Sequence, residues 1–124
     1  MGPLNVLVVE DDDSIREMIQ LTLASADHLS VGAANGDEAL RLLERLSPDM
    51  ILLDLRMPVV DGIEFMRGYR EMDGRAPVVL LTAGRDMADA RELGAAGLIE
   101  KPFDVEALIA TVEQVARGRE PATL

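Results

Sequence analysis

The residues best suited to chemistry stand directly behind short apolar runs. Glu10, Asp11 and Asp12 follow Val6 to Val9, Asp54 follows Met50 to Leu53, Thr82 follows Val78 to Leu81, and Lys101 comes two residues after Ile99. Carboxylates gathered from several strands repel one another and raise one another's pKa, so a hard divalent cation is the natural compensation. Oxygen donors without His or Cys select Mg²⁺, with Mn²⁺ as a substitute, over zinc or copper. A Lys101 ammonium and a Thr82 hydroxyl beside such a cation make a receptor for a phosphoryl group. No Ser, Cys or His is placed as an alternative nucleophile, so a carboxylate must attack phosphorus itself. Asp54 is the strongest candidate, because a carboxylate that closes a fully buried strand is costly unless it is paired or metal-bound.

Plainer roles compete at several positions. Asp12 and Asp13 are better explained as helix caps and dipole partners, and capping alone would account for Glu10 and Asp11. Threonine is common in strands, Lys101 before Pro102 could be a solvated turn, and the lone His28 is expected at the surface. The chemical reading gains its weight from placement, since every candidate falls at the same edge of one sheet.

That sheet follows from the pattern of the chain. Five short continuous apolar runs, Val6 to Val9, Leu29 to Ala33, Met50 to Leu53, Val78 to Leu81 and Gly97 to Ile99, alternate with helical patterns. Continuous apolarity predicts strands covered on both faces, hence a parallel sheet between helical layers. Asp13 or Ser14 is expected to cap the first helix, with Ser14-x-x-Glu17 as a capping box and Ile15, Met18, Ile19 and Leu23 on one face. Asn35-x-x-Glu38 opens the second, which buries Ala39, Leu40, Leu43 and Leu46. Asp61-x-x-Glu64 opens the third, with Met66 and Tyr69 inward. A fourth, near Met87 to Leu93, stops at Gly94. Asp104 caps the last, with Phe103 stapled onto Leu108 and a stripe through Ile109, Val112 and Val115. The (βα)5 alternation predicts an α/β fold: a doubly wound, five-stranded parallel sheet in three layers, with its site beyond the carboxyl ends of the strands.

Composition narrows the function classes. At 124 residues the chain fits one domain, and without cysteine it has neither disulfide nor thiolate chemistry. A formal charge of −11, with no basic run to offset it, argues against direct contact with nucleic acid. No apolar run approaches the ~20 residues of a membrane helix, and a cytoplasmic location is expected. Residues 1–119 read as the domain and 120–124 as a tail or linker stub.

Four segments together resemble the receiver domain of two-component response regulators, the CheY-like superfamily. They are Val6-Leu-Val-Val-Glu-Asp-Asp12, Pro48-Asp-Met-Ile-Leu-Leu-Asp-Leu-Arg-Met-Pro58 with Asp61-Gly62, Leu81-Thr-Ala83, and Lys101-Pro-Phe103. The resemblance runs from Val6 to about Arg117. It implies a flavodoxin-like strand order 2-1-3-4-5 and Asp54 as the phosphoacceptor. It also implies Mg²⁺ held by Glu10, Asp11, Asp54 and the backbone carbonyl of Arg56. Thr82, Ala83 and Lys101 would contact the phosphoryl oxygens, and Lys101-Pro102 would be cis. The implied protein is a signalling switch rather than a turnover enzyme. Its phosphoryl donor would be a sensor histidine kinase or phosphotransfer protein, docking at the first helix near Ile15, Met18 and Ile19 and at the loop beyond Lys101. Its output would be an unidentified protein or a C-terminal effector domain, and its state a monomer or a weak phosphorylation-dependent dimer.

Three positions depart from the family pattern. Leu98 stands where an aromatic residue often reports activation, and Gly94-Ala-Ala-Gly-Leu98 lacks the acidic pair frequent in dimerising members. Arg56 and Gly84 flank the mouth of the site and are expected to set the rate of phosphoryl loss. Two other classes fit less well. A phosphohydrolase of the haloacid dehalogenase type carries its nucleophile after the first strand in an Asp-x-Asp pattern, beneath a cap that 124 residues cannot supply. A flavin-binding relative needs a Ser/Thr/Gly-rich phosphate loop where this chain has Glu10-Asp11-Asp12.

Overall fold

The apolar runs form five parallel strands, β1 (Asn5–Val9), β2 (Leu29–Ala33), β3 (Met50–Asp54), β4 (Val78–Thr82) and β5 (Gly97–Glu100), in the order β2-β1-β3-β4-β5. The computed structural model describes residues 2–55, 62–83 and 92–118. Four helices are described: α1 (Asp13–Ser25), α2 (Gly36–Leu43), α3 (Gly62–Glu71) and α4 (Val105–Gly118). The helix expected at Met87 to Leu93 lies outside the described residues up to its last two positions, and Gly94 just beyond them adopts φ 77°, the left-handed turn that ends a helix.

Alternation along each strand divides the core in two, because successive side chains point to opposite faces. Leu7, Val9, Ile51, Leu53, Val78 and Leu80 pack with Ala39 and Leu43 of α2 and Phe65, Met66 and Tyr69 of α3. Val6, Val8, Met50, Leu52, Val79 and Leu81 pack with Ile19 and Leu23 of α1 and Leu108 and Val112 of α4. The central strands β1, β3 and β4 are therefore buried on both faces, as their continuous apolarity predicts. The edge strand β2 is not. Leu29 is 65% and Val31 43% exposed, because α2 ends at Leu43 after two turns and leaves Leu46 outside the helix and exposed.

Local signals fix the helix ends. Asn35 Oδ1 accepts from Glu38 N–H at 2.8 Å, and Glu38 Oε2 returns to Ala34 N–H at 3.3 Å, one residue before the reciprocal position of a standard capping box. Asp104 Oδ1 accepts from Ala107 N–H at 2.7 Å, and Phe103 packs in the same cluster as Leu108. The cap of α1 falls on Asp12, one of the two acids expected to cap, and not on the alternatives Asp13 and Ser14. Asp12 accepts from Ile15 N–H at 2.9 Å, so the Ser14-x-x-Glu17 box does not form. Asp61, expected to open α3, lies outside the described residues.

His28 is likewise corrected from a surface residue to a buried one. Beyond the end of α1, Asp27 takes φ 67° while His28 N–H reaches back to Leu23 O at 2.9 Å and Asp27 N–H to Ala24 O at 3.0 Å. This pair of bonds is a Schellman motif, and its left-handed residue turns the next side chain inward. His28 Nδ1 accepts from Leu4 N–H at 3.1 Å, and Nε2 lies 3.1 Å from Glu113 Oε2 of α4. A ring that accepts at Nδ1 carries its proton on Nε2, so it donates to Glu113.

Candidate functional site

Strand register brings the first two acids together. Val8 pairs with Leu52 and Val9 with Leu53, so the next step in each chain sets Glu10 abreast of Asp54. Glu10 N–H donates to Ala33 O at 3.0 Å, and Glu10 Oε1 accepts from Asp12 N–H at 3.2 Å. Asp12 is thereby assigned to capping, while Asp11 stays exposed with its carboxylate turned to the other two. One carboxylate oxygen from each of Glu10, Asp11 and Asp54 lies within 4.8 Å of the others. Glu10 is 1% and Asp54 4% exposed, so two of the three acids are desolvated as well as mutually repelling.

Lys101 approaches from β5. Its N–H donates to Thr82 O at 2.8 Å, which continues the β4–β5 ladder one residue past Glu100. The Lys101–Pro102 bond is cis, as the family resemblance implies. The ammonium reaches 3.1 Å from Asp54 Oδ1 and 3.8 Å from Glu10 Oε2. One cation thus serves two buried acids. Burial, followed by the Asp54 charge, pushes the Glu10 carboxyl up to about 7 against the opposing pull of the Asp12 N–H and of Lys101.

Glu10 Oε2 is buried without a hydrogen-bond partner among the described residues. An acceptor in that position needs either a proton on one of the carboxyls or a cation between them. Oxygen donors at this spacing, with no nitrogen or sulfur, fit a hard divalent ion, and Glu10, Asp11 and Asp54 could hold Mg²⁺. Arg56, whose carbonyl the resemblance adds to this set, lies outside the described residues, as does Gly84.

Thr82, the last residue of β4, is buried, and its hydroxyl donates to the Ala83 carbonyl at 2.9 Å. The strand end therefore carries the hydroxyl to the site's edge, with its proton already engaged. Leu98 is half-buried against the core on the α2 and α3 side. Ile19, expected on the docking face of α1, is wholly buried instead, because the core stripe runs through Ile19 and Leu23. Met18, Leu21 and Val105 are the apolar residues exposed there.

One residue of the site region was not singled out from the sequence. Arg16 donates to the Glu10 carbonyl at 2.8 Å and pairs with Asp13 at 2.6 Å. Its signal is its charge, because a cation near the start of a helix opposes the helix dipole and calls for a local acceptor.

Comparison with known proteins agrees with this geometry. Residues 6–113 match the profile of the response regulator receiver domain. The transcriptional regulatory protein AfsQ1 of Streptomyces coelicolor is 38% identical over 119 residues, covering 94% of this chain and 52% of that protein. The DNA-binding transcriptional regulator NtrC of Escherichia coli is 36% identical over 112 residues, covering 88% of this chain and 24% of that protein. The chain thus spans about half of one relative and a quarter of the other. The chemotaxis protein CheY4 of Vibrio cholerae superposes with a TM-score of 0.84 at 34% identity, over 92% of this chain and 99% of that one. By sequence, strand order and the acidic cluster at the strand ends, the chain belongs to the receiver domain family of two-component response regulators.

Proposed function

We propose that Asp54 is the phosphoacceptor of this receiver and that residues 1–119 act as the switch unit. The observation that carries this reading is the Asp54 carboxylate, buried at the end of the central strand β3, 3.1 Å from an ammonium and beside two further acids. A phosphohistidine of a sensor kinase or phosphotransfer protein is the donor. An Asp54 oxygen forms the new bond to phosphorus, the N–P bond breaks, and the imidazole leaves with its electron pair. Loss of the phosphoryl group follows when water attacks phosphorus and Asp54 departs as carboxylate, so the chain works as a switch and not as a turnover enzyme.

Glu10, Asp11 and Asp54 would hold Mg²⁺ or Mn²⁺, with the Arg56 carbonyl completing the protein ligands by family resemblance. When bound, the ion neutralises charge on the carboxylates and on the phosphoryl oxygens. Lys101, whose ammonium lies 3.1 Å from Asp54 Oδ1, would contribute its positive charge to a phosphoryl oxygen carried by that carboxylate. Thr82 must release the Ala83 carbonyl to reach the same group, with Ala83 as its neighbour at the phosphoryl oxygens. That exchange couples phosphorylation to the chain after β4 and shifts a conformational equilibrium that an output partner reads.

Docking of the donor is assigned to α1 and the start of α4, where Met18, Leu21 and Val105 line one shallow apolar surface. Among the described residues no helix is long and apolar enough to cross a membrane, which suits a partner met in the cytoplasm. The formal charge of −11 assigns any contact with DNA to an effector domain or to another protein. Incubation with Mg²⁺ and acetyl phosphate tests the reading. An acid-resistant, base-labile adduct on the wild type that Asp54→Ala lacks is the expected result, and an unchanged adduct on Asp54→Ala overturns it.

A further inference from the structure

The geometry points to Arg16 as a positioning residue that sets the relative orientation of the Glu10 and Asp11 carboxylates for the divalent cation. The inference rests on the reading of Glu10, Asp11 and Asp54 as a metal site. It begins with how Glu10 is held. Its N–H is bonded to Ala33 O, one carboxylate oxygen to Asp12 N–H, and its carbonyl to the Arg16 guanidinium at 2.8 Å. The atom left over is Oε2, which has no hydrogen-bond partner among the described residues and lies 3.8 Å from the Lys101 ammonium.

The Glu10 carbonyl belongs to the peptide unit that joins Glu10 to Asp11. A planar peptide has no internal freedom, so pinning its oxygen fixes the orientation from which the Asp11 side chain departs. Without Arg16, the plane could rotate and the exposed Asp11 carboxylate would swing relative to the buried Glu10. Arg16 can serve because it lies one turn into α1, and Asp12, the cap, accepts its N–H at 2.9 Å. Its stem lies over the β2 backbone at Gly32, where a Cβ would come within 3.0 Å of Arg16 Cδ. Asp13 holds the far side of the guanidinium. The arginine is thus braced by packing and by a second acceptor, as outer partners of a metal site are.

The sign of the effect separates positioning from simple charge. Removing a cation beside an acidic cluster should strengthen binding of a dication by electrostatics alone. Loss of positioning should weaken it, by roughly 10- to 100-fold. Arg16→Met keeps most of the stem and removes both hydrogen bonds, while Arg16→Lys restores one charged donor. Calorimetric titration with Mg²⁺, without any phosphoryl donor, should show the Kd raised at least about tenfold in Arg16→Met and partly restored in Arg16→Lys. In the metal-free protein the Asp11 amide order parameter should fall from the rigid range near ~0.85 in Arg16→Met. Arg16→Met binding Mg²⁺ as tightly as wild type, or more tightly, overturns the inference while leaving the metal site intact. If wild type binds no Mg²⁺ that Asp54→Ala weakens, both the inference and the reading beneath it are overturned.

Discussion

Lys101 Nζ stands 3.1 Å from Asp54 Oδ1 and 3.8 Å from Glu10 Oε2, so one ammonium is shared unequally between two buried carboxylates. The closer partner is the acid assigned to phosphorus, and the more distant one carries the raised pKa. This asymmetry makes the roles of the three residues separable by experiment.

Lys101→Met keeps the apolar stem and deletes the charge. Phosphorylation by acetyl phosphate at saturating Mg²⁺ should slow on the order of 10²-fold, as when one preorganised donor is lost from a site of developing charge. Mg²⁺ affinity should hold or increase, because the ammonium competes with the ion for the same carboxylates. A parallel loss of Mg²⁺ binding would contradict the assignment.

Glu10 should contribute progressively less to the stability of the metal-free protein as pH rises. Its carboxyl is raised from 4.5 to about 7 in the folded chain, so folding favours the protonated form. That contribution is complete below pH 4.5 and is lost as pH climbs through about 7. In chelator, the urea midpoint of wild type should drop relative to Glu10→Gln between about pH 5 and about pH 8, and Mg²⁺ should bind more weakly at about pH 6 than at about pH 8. A difference between the two proteins that does not change with pH would contradict it.

Gly62 is required by a backbone approach at Leu55, the residue after Asp54. Its N–H donates to Leu55 O at 3.1 Å, and an added Cβ would meet Leu55 Cα and O at 2.9 Å. Main-chain atoms cannot rotate away as a side chain can, so Gly62→Ala should cost about 1–3 kcal/mol in urea unfolding. An unchanged midpoint would show that the turn relaxes freely.

His28 ties the chain before β1 to α4 at the opposite edge of the sheet from the site. His28→Leu should destabilise by about 1–3 kcal/mol, since the Leu4 N–H loses its acceptor in a partly buried setting. Glu113→Gln should cost less, because that side chain is partly exposed and an amide still accepts from the ring. Equal losses from both variants would contradict this division.

The sheet and the site were legible in the sequence to the extent that each depends on adjacent residues. Continuous apolar runs read correctly as buried central strands, and their ends placed Glu10, Asp54, Thr82 and Lys101 at one edge, because a parallel sheet aligns all its carboxyl ends. Asn35 and Asp104 were readable as caps for the same local reason. What was missed depends on distant partners or on element length. The His28 side chain meets Leu4 and Glu113, which are 24 and 85 residues away. Leu29 and Val31 look like core residues until α2 proves too short to cover them. Asp12 was readable as a cap, but the choice among Asp12, Asp13 and Ser14 was not, because neighbouring residues of similar capping strength compete for one helix start. Thr82 was placed by its strand, but its bond to Ala83 depends on a rotamer that no pattern records.

The central claim is that the phosphoryl group resides on Asp54. After reaction with acetyl phosphate and Mg²⁺, borohydride reduces an aspartyl phosphate to homoserine, which peptide mass mapping can locate. The account predicts homoserine at position 54 and at no other residue, with none formed when Mg²⁺ is chelated. Homoserine at another aspartate, or a stable phosphoryl group on Thr82, would contradict it.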